Sequence, residues 1–194
     1  MSRAGIVLAG GRSTRMGGSD KAMTFLGGRT LLSRAVQRLA PQVDALAVSS
    51  NTLAPGTIDA PVLADAVQTF EGPLAGVHAG LEWARSQGHT ALVSVAVDSP
   101  FLPGDLVESL SHGDRSRIIV ARSAGRNHPV FALWPIAALD PLAAFLERAE
   151  TRKVMAFLAE FGFDSIEFDA EPFDPFFNIN TPEDLAEAER LIKP

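Results

Sequence analysis

A chain of 194 residues with 46% hydrophobic and 21% charged side chains has the composition of one ordinary globular domain, able to bury roughly 70% of its unfolded surface. The absence of cysteine removes disulfides, Cys-ligated metals and thiol nucleophiles, and the four histidines follow no metal-ligand spacing. A net charge of −6 argues against nucleic-acid or membrane-surface partners, and with neither a spanning-length apolar run nor a signal-peptide pattern, a cytoplasmic location is expected.

In chain order, residues 4–8 (AGIVL) read as a buried strand running into the glycine loop Ala9-Gly10-Gly11. Leu31, Leu32, Ala35, Val36 and Leu39 recur at helical spacing over 30–39, and Pro41 stops them. Strands are expected at 45–49 and, shorter, at 61–64, with Asn51 and Asp65 in loops. Residues 73–86 have helix-forming composition with Gly88 as the stop, and 91–97 (ALVSVAV) read as a central strand ending at Asp98. Further on come a helix at 103–110, strands at 117–121 and 130–134, helices at 137–149 and 152–161, and a last strand at 165–168. The aromatic, proline-containing stretch 172–177 is expected to pack at the sheet edge. Thr181-Pro182-Glu183-Asp184 supplies a cap, a proline at N1 and an acid at N3, opening a terminal helix to 192. This alternation predicts a single three-layer α/β domain over 1–194, with a mostly parallel sheet and ligands at the carboxyl ends of its strands.

Charge is unevenly spread. Residues 1–40 set Arg3, Arg12, Arg15, Lys21, Arg29, Arg34 and Arg38 against the lone acid Asp20, whereas acids dominate after 161. A local anion site near the N-terminus follows, although Arg34 and Arg38, spaced i to i+4, read as a solvated helix face.

The segment from Leu8 to Lys21 is not a Walker loop, which needs lysine directly after the last glycine, nor a dinucleotide fingerprint, which needs three spaced glycines. The physics is shared: adjacent glycines after a strand let backbone N–H groups approach an anion, and Arg15 and Lys21 can neutralise phosphate. On spacing alone the segment is a triphosphate cradle or a plain glycine-rich turn, and its cations are phosphate ligands or solvated loop residues. Asp98 is likewise a rigidly held metal carboxylate or a turn residue before Ser99-Pro100. Asp65, in a loop, reads from sequence as an Asp bonding its own turn. Asn178 and Asn180 alternate with Ile179, so both amides face one side of an extended segment, as ligands or as capping groups before Thr181.

Leu8-Ala9-Gly10-Gly11, then Arg15-Met16-Gly17, then Asp20-Lys21 resembles the signature of the molybdenum cofactor guanylyltransferases, within the nucleotidyltransferase superfamily. Further blocks agree in order: Glu71-Gly72-Pro73-Leu74-Ala75-Gly76, Asp98-Ser99-Pro100-Phe101-Leu102-Pro103, Asn127-His128-Pro129-Val130, Arg152-Lys153-Val154-Met155 and Phe177-Asn178-Ile179-Asn180-Thr181-Pro182. The resemblance spans essentially the whole chain. It implies a Rossmann-like nucleotidyltransferase fold and a Mg²⁺-dependent reaction. In it the terminal phosphate of molybdopterin attacks the α-phosphorus of GTP, releasing pyrophosphate and giving the guanine dinucleotide form of the cofactor.

By the same resemblance Arg15, Lys21 and Asp98 are catalytic, Asp98 is the metal ligand, and Leu8, Ala9, Gly10, Gly11, Lys21, Asn51, Asp65 and Asp98 form the GTP site. Arg126, His128, Arg152, Lys153, Asn178 and Asn180 are candidates for the molybdopterin side; His128, alone before a proline, is not assigned as a base. The implied partners are GTP and molybdopterin, with cofactor-delivery or acceptor molybdoenzyme proteins beyond them. One departure stands out: the family often has Asn-x-Asn after the second strand, and this chain has Ser49-Ser50-Asn51. The rival readings are transfer from CTP or to another phosphorylated acceptor, and a noncatalytic nucleotide-binding regulator on the same fold.

Overall fold

In a computed structural model that describes residues 2–10, 21–54, 56–64, 72–148 and 153–192, strands and helices alternate along the chain. β1 (Arg3–Leu8) leads, past a small hairpin of β2 (Phe25–Leu26) and β3 (Arg29–Thr30), into α1 (Leu31–Leu39). β4 (Ala45–Ser49), β5 (Val62–Leu63), α2 (Pro73–Ser86), β6 (Ala91–Ala96) and α3 (Leu106–Leu110) come next. β7 (Ile118–Ser123), β8 (Arg126–Pro135), α4 (Leu139–Arg148), α5 (Val154–Phe161), β9 (Phe163–Phe168) and α6 (Pro182–Leu191) complete the order.

Seven strands form one sheet in the order β5-β4-β1-β6-β8-β7-β9, and every pairing is parallel except the two that β8 makes with β6 and β7. The unbroken apolar runs of β1 and β6 occupy adjacent central positions because only there are both faces covered; Ile6, Val7, Val93 and Val95 are fully buried. Alternation then divides their side chains between two cores. Ala4, Ile6 and Leu8 pack with α2, α4 and α5 on one face, while Val7, Val93 and Val95 pack with α1, α3 and α6 on the other. The result is the expected three-layer α/β arrangement. Among the described residues no helix is long and apolar enough to cross a membrane.

Several local expectations change. The strand expected at 130–134 is twice as long and starts at Arg126, because Ala124 (φ 46°) and Gly125 (φ 75°) make a tight turn that pairs β8 with β7. Polar residues and Pro129 hide this half of the strand. The β7–β8 register slips between Val120 and Ala121, so Pro129 falls in the bulge, where its missing N–H breaks no ladder bond. The β2–β3 hairpin, with two-residue strands, is too short to show a period; Gly27 and Gly28, at φ 54° and 78°, form its turn.

Arg34 is not a solvated cation, as its spacing suggests. Its guanidinium donates to Leu26 O from Nε (2.8 Å) and a terminal nitrogen (2.6 Å), tying that hairpin to α1. Arg38 is exposed, as expected. The stretch 172–177 is not a sheet-edge cover. Phe176 is 2% exposed and sits in the core, 5.0 Å from Phe131 and 5.3 Å from Phe168 between ring centres, while Phe173 meets Phe101 edge-on.

Candidate active site

Because β4, β1 and β6 are parallel neighbours, their carboxyl ends deliver three loops to one edge of the sheet. The ladder continues one residue past the strands: Ala9 N–H donates to Ser49 O (2.9 Å), Val97 N–H to Leu8 O (3.1 Å) and Ser50 N–H to Leu63 O (2.9 Å). Gly10, Asn51 and Asp98 thus emerge from adjacent strand ends. The buried Ser50 hydroxyl accepts the N–H groups of Thr52 and Leu53, both at 3.2 Å, which turns the chain and leaves Asn51 exposed.

Two glycines on this edge serve different ends. A Cβ on Gly76, in the second turn of α2, would lie 2.6 Å from Ser49 Oγ and 2.8 Å from Leu8 Cδ2, so the absence of a side chain lets the helix rest against β1 and β4. Ser49, where a larger amide is common in the resembling family, is buried in that contact. Gly10 lacks a left-handed φ, and a Cβ there would meet nothing within 4 Å among the described residues. Among the described residues its backbone is left uncovered, as close approach of a ligand would require.

Lys21 starts a 3-10 turn, Lys21–Met23, whose exit is hooked to α1 by Leu31 N–H donating to Thr24 O (2.9 Å). Its ammonium donates to Asp98 Oδ2 and to Asn180 Oδ1, each at 2.7 Å. The Lys21 and Asp98 side chains are 18% and 20% exposed, shielded enough to strengthen the pair and open enough to be reached. The other carboxylate oxygen, Asp98 Oδ1, is buried without a hydrogen-bond partner among the described residues. Such an orphaned anionic oxygen fits a cation ligand. No group of three or more His, Asp or Glu side chains that could cage a metal occurs among the described residues, so Asp98 would act as a single carboxylate.

The strand-like segment before α6 closes the site. Ile179 is fully buried and donates its N–H to Asp98 O (2.9 Å), while Asn178 and Asn180 are exposed, as their alternation predicts. Asn178 Oδ1 accepts a short hydrogen bond from Ser99 Oγ. Asp174 Oδ1 anchors the start of the segment, accepting Phe176 N–H (2.9 Å) and the buried Ser123 hydroxyl (2.8 Å).

Since that hydroxyl donates its proton to Asp174, it accepts from His128 Nε2 at 2.7 Å, which fixes the proton on Nε2 of the neutral ring. Burial holds the His128 pKa below its ordinary value against the opposing pull of the Asp174 carboxylate. The ring is 8% exposed and stacks on Phe176 at 4.7 Å, so it pins the segment instead of facing a ligand.

A family model described as "MobA-like NTP transferase domain" matches residues 5–161. A molybdenum cofactor guanylyltransferase from Rhodopseudomonas palustris (strain HaA2) is 49% identical over 193 residues, covering 96% of this chain and 90% of that protein. One from Mesorhizobium japonicum is 47% identical over 199 residues, covering 98% and 96%. The chain belongs to the molybdenum cofactor guanylyltransferase family. Solved structures agree on the fold: molybdopterin-guanine dinucleotide biosynthesis protein A from Archaeoglobus fulgidus superposes with a TM-score of 0.76 at 24% identity over 97% of both chains. The 2-C-methyl-D-erythritol 4-phosphate cytidylyltransferase from Thermus thermophilus gives 0.69 at 21% identity over 98% of both.

In this guanylyltransferase-family chain the structure brings together Leu8, Ala9, Gly10, Asn51, Lys21, Asp98, Asn178 and Asn180 at one edge of the sheet. Arg126, at the start of β8, and Lys153, just before α5, are both exposed. Gly11, Arg15, Asp65 and Arg152 lie outside the described residues. Ser99, Ser123, Asp174 and Asp184 also hold the segment that carries Asn178 and Asn180, through hydrogen bonds their sequence neighbourhoods do not reveal, apart from the readable capping position of Asp184.

Proposed function

We propose that this chain transfers GMP from GTP to the terminal phosphate of molybdopterin, in the cytoplasm and with Mg²⁺. The observation that carries the reading is the Lys21 ammonium donating at 2.7 Å to both Asp98 and Asn180, at the sheet edge where the end of β1 leaves Gly10 exposed. An acceptor phosphate oxygen forms a bond to the α-phosphorus; the bond from that phosphorus to the bridging oxygen breaks, and pyrophosphate leaves with the electron pair. The acceptor is a phosphate monoester with a second pKa of about 6, so near neutral pH it is already an anionic nucleophile and needs no base. A neutral, buried His128 is compatible with that chemistry.

The protein's task is therefore positioning and charge neutralisation. Lys21, with Arg15, would meet the charge that builds on the leaving pyrophosphate. Gly10 and Gly11 would offer backbone N–H groups to the triphosphate, and Asn51 and Asp65 would hold ribose and guanine. Asn178, Arg126, Arg152 and Lys153 would face the acceptor. Asp98 would hold Mg²⁺ through Oδ1, and the bound ion supplies neutralisation of triphosphate oxygens.

The test is pyrophosphate release by the full chain with molybdopterin and a panel of GTP, CTP and ATP, with Mg²⁺ or excess chelator. GTP with Mg²⁺ is expected to be preferred at least tenfold. A preference for CTP, or turnover unaffected by chelator, overturns the nucleotide or the metal assignment respectively. Tight GTP binding with no pyrophosphate release would favour a noncatalytic regulator.

A further inference from the structure

α6 opens with a capping box: the Thr181 hydroxyl accepts Asp184 N–H (3.1 Å), and Asp184 Oδ2 accepts Thr181 N–H (2.8 Å). Those two bonds complete the motif. Here the same carboxylate oxygen takes a third N–H, that of Asn180, also at 2.8 Å and one residue outside the cap. Asn180 is the residue whose side-chain oxygen receives Lys21. Its backbone is thereby fixed on both sides, by Asp184 on its own N–H and by the preceding Ile179, which is fully buried and bonded to Asp98 O. An exposed asparagine on an extended segment has no other restraint of this kind among its described contacts.

We propose that Asp184 is a positioning residue for the transfer reaction, setting Lys21 through Asn180 in addition to capping α6. The inference rests on the function proposed above. A lysine whose oxygen partner is loose can still meet a triphosphate in the ground state, because it is a point charge on a flexible stem. It can no longer wait in the place where charge develops, and small misplacements of that kind reduce turnover rather than binding.

Thr181→Ala is the control, since it breaks the other half of the same box and leaves the Asn180 bond intact. Asp184→Ala is expected to lower kcat about tenfold with KM for GTP within about threefold, Thr181→Ala to keep kcat within about twofold, and Asp184→Glu, which restores a carboxylate, to recover most of the loss. Both alanine variants should unfold at reduced urea concentrations, Asp184→Ala, which loses two bonds, at the lower one. Equal loss of kcat in the two, or unchanged kcat in Asp184→Ala, overturns the proposal.

A readout without substrate keeps it separate from the functional reading. The Lys21 ammonium signal in ¹H–¹⁵N NMR, protected by its two acceptors, should broaden in Asp184→Ala and persist in Thr181→Ala. Its persistence in both sinks the positioning role, whereas an inactive wild-type chain with the expected NMR pattern sinks only the assigned reaction.

Discussion

Lys21→Met keeps most of the aliphatic stem and removes the charge, which separates the role of the ammonium in the fold from its role in the reaction. On the folding side, Lys21 and Asp98 are about one-fifth exposed, between a surface pair worth 0–1 kcal/mol and a buried one whose rupture costs 3–5 kcal/mol. Water can reach the Asp98 carboxylate that remains, so a loss of about 1–2 kcal/mol is expected. On the reaction side, removing a donor aimed at charge that develops in the transition state costs roughly 10²–10³ in rate, or about 3–4 kcal/mol of barrier. A domain with at least 5 kcal/mol of stability stays more than 99% folded after the first loss, so unfolding cannot mimic the second. Urea unfolding and kcat/KM from pyrophosphate release, both at 25 °C, give the two quantities. A kcat/KM within tenfold of wild type, or a stability loss above about 4 kcal/mol, would refute the reasoning, the latter by making Lys21 a structural bridge.

Gly76→Ala and Gly80→Ala place the same methyl on one helix at two depths. Their new Cβ atoms would fall 2.6 Å from Ser49 Oγ and 2.7 Å from Ile6 Cδ1 respectively, so overpacking of about 1–3 kcal/mol outweighs a helix-propensity gain of up to about 1. Both should lower the denaturation midpoint, and only Gly76→Ala, at the carboxyl edge, should also raise KM for GTP severalfold; equal KM values would contradict the role given to that edge. For His128, burial depresses the folded-state pKa, so below about pH 6.5 the unfolded chain binds more protons. Its contribution is therefore full above that pH and declines as pH falls. His128→Asn should show a smaller drop in urea midpoint between pH 7 and pH 5 than wild type; an equal drop would assign the acid sensitivity elsewhere.

Patterns confined to one element were legible in the sequence. The apolar runs marked β1 as a buried strand and β6 as a central one, each with a loop at its end, and Thr181 with Asp184 marked the start of α6 to the residue. The alternation in Asn178-Ile179-Asn180 carried its burial pattern correctly. What stayed hidden depends on partners distant in sequence or on turns too short for a period. Arg34 looks like any helix-surface cation until the hairpin carbonyls meet it, and Phe176 looks like an edge residue until rings from β8 and β9 pack around it. Lys21 could be matched to a motif, but its bond to Asn180, 159 positions away, could not be read from either neighbourhood.

The segment carrying Phe176 and Asn180 completes a core and the candidate site at once, and it follows every described strand of the sheet in the chain. A chain made only as far as β9 has every described strand of the sheet but lacks the second acceptor for its lysine. Lys21 therefore gains its full set of described partners only once the chain beyond β9 is in place.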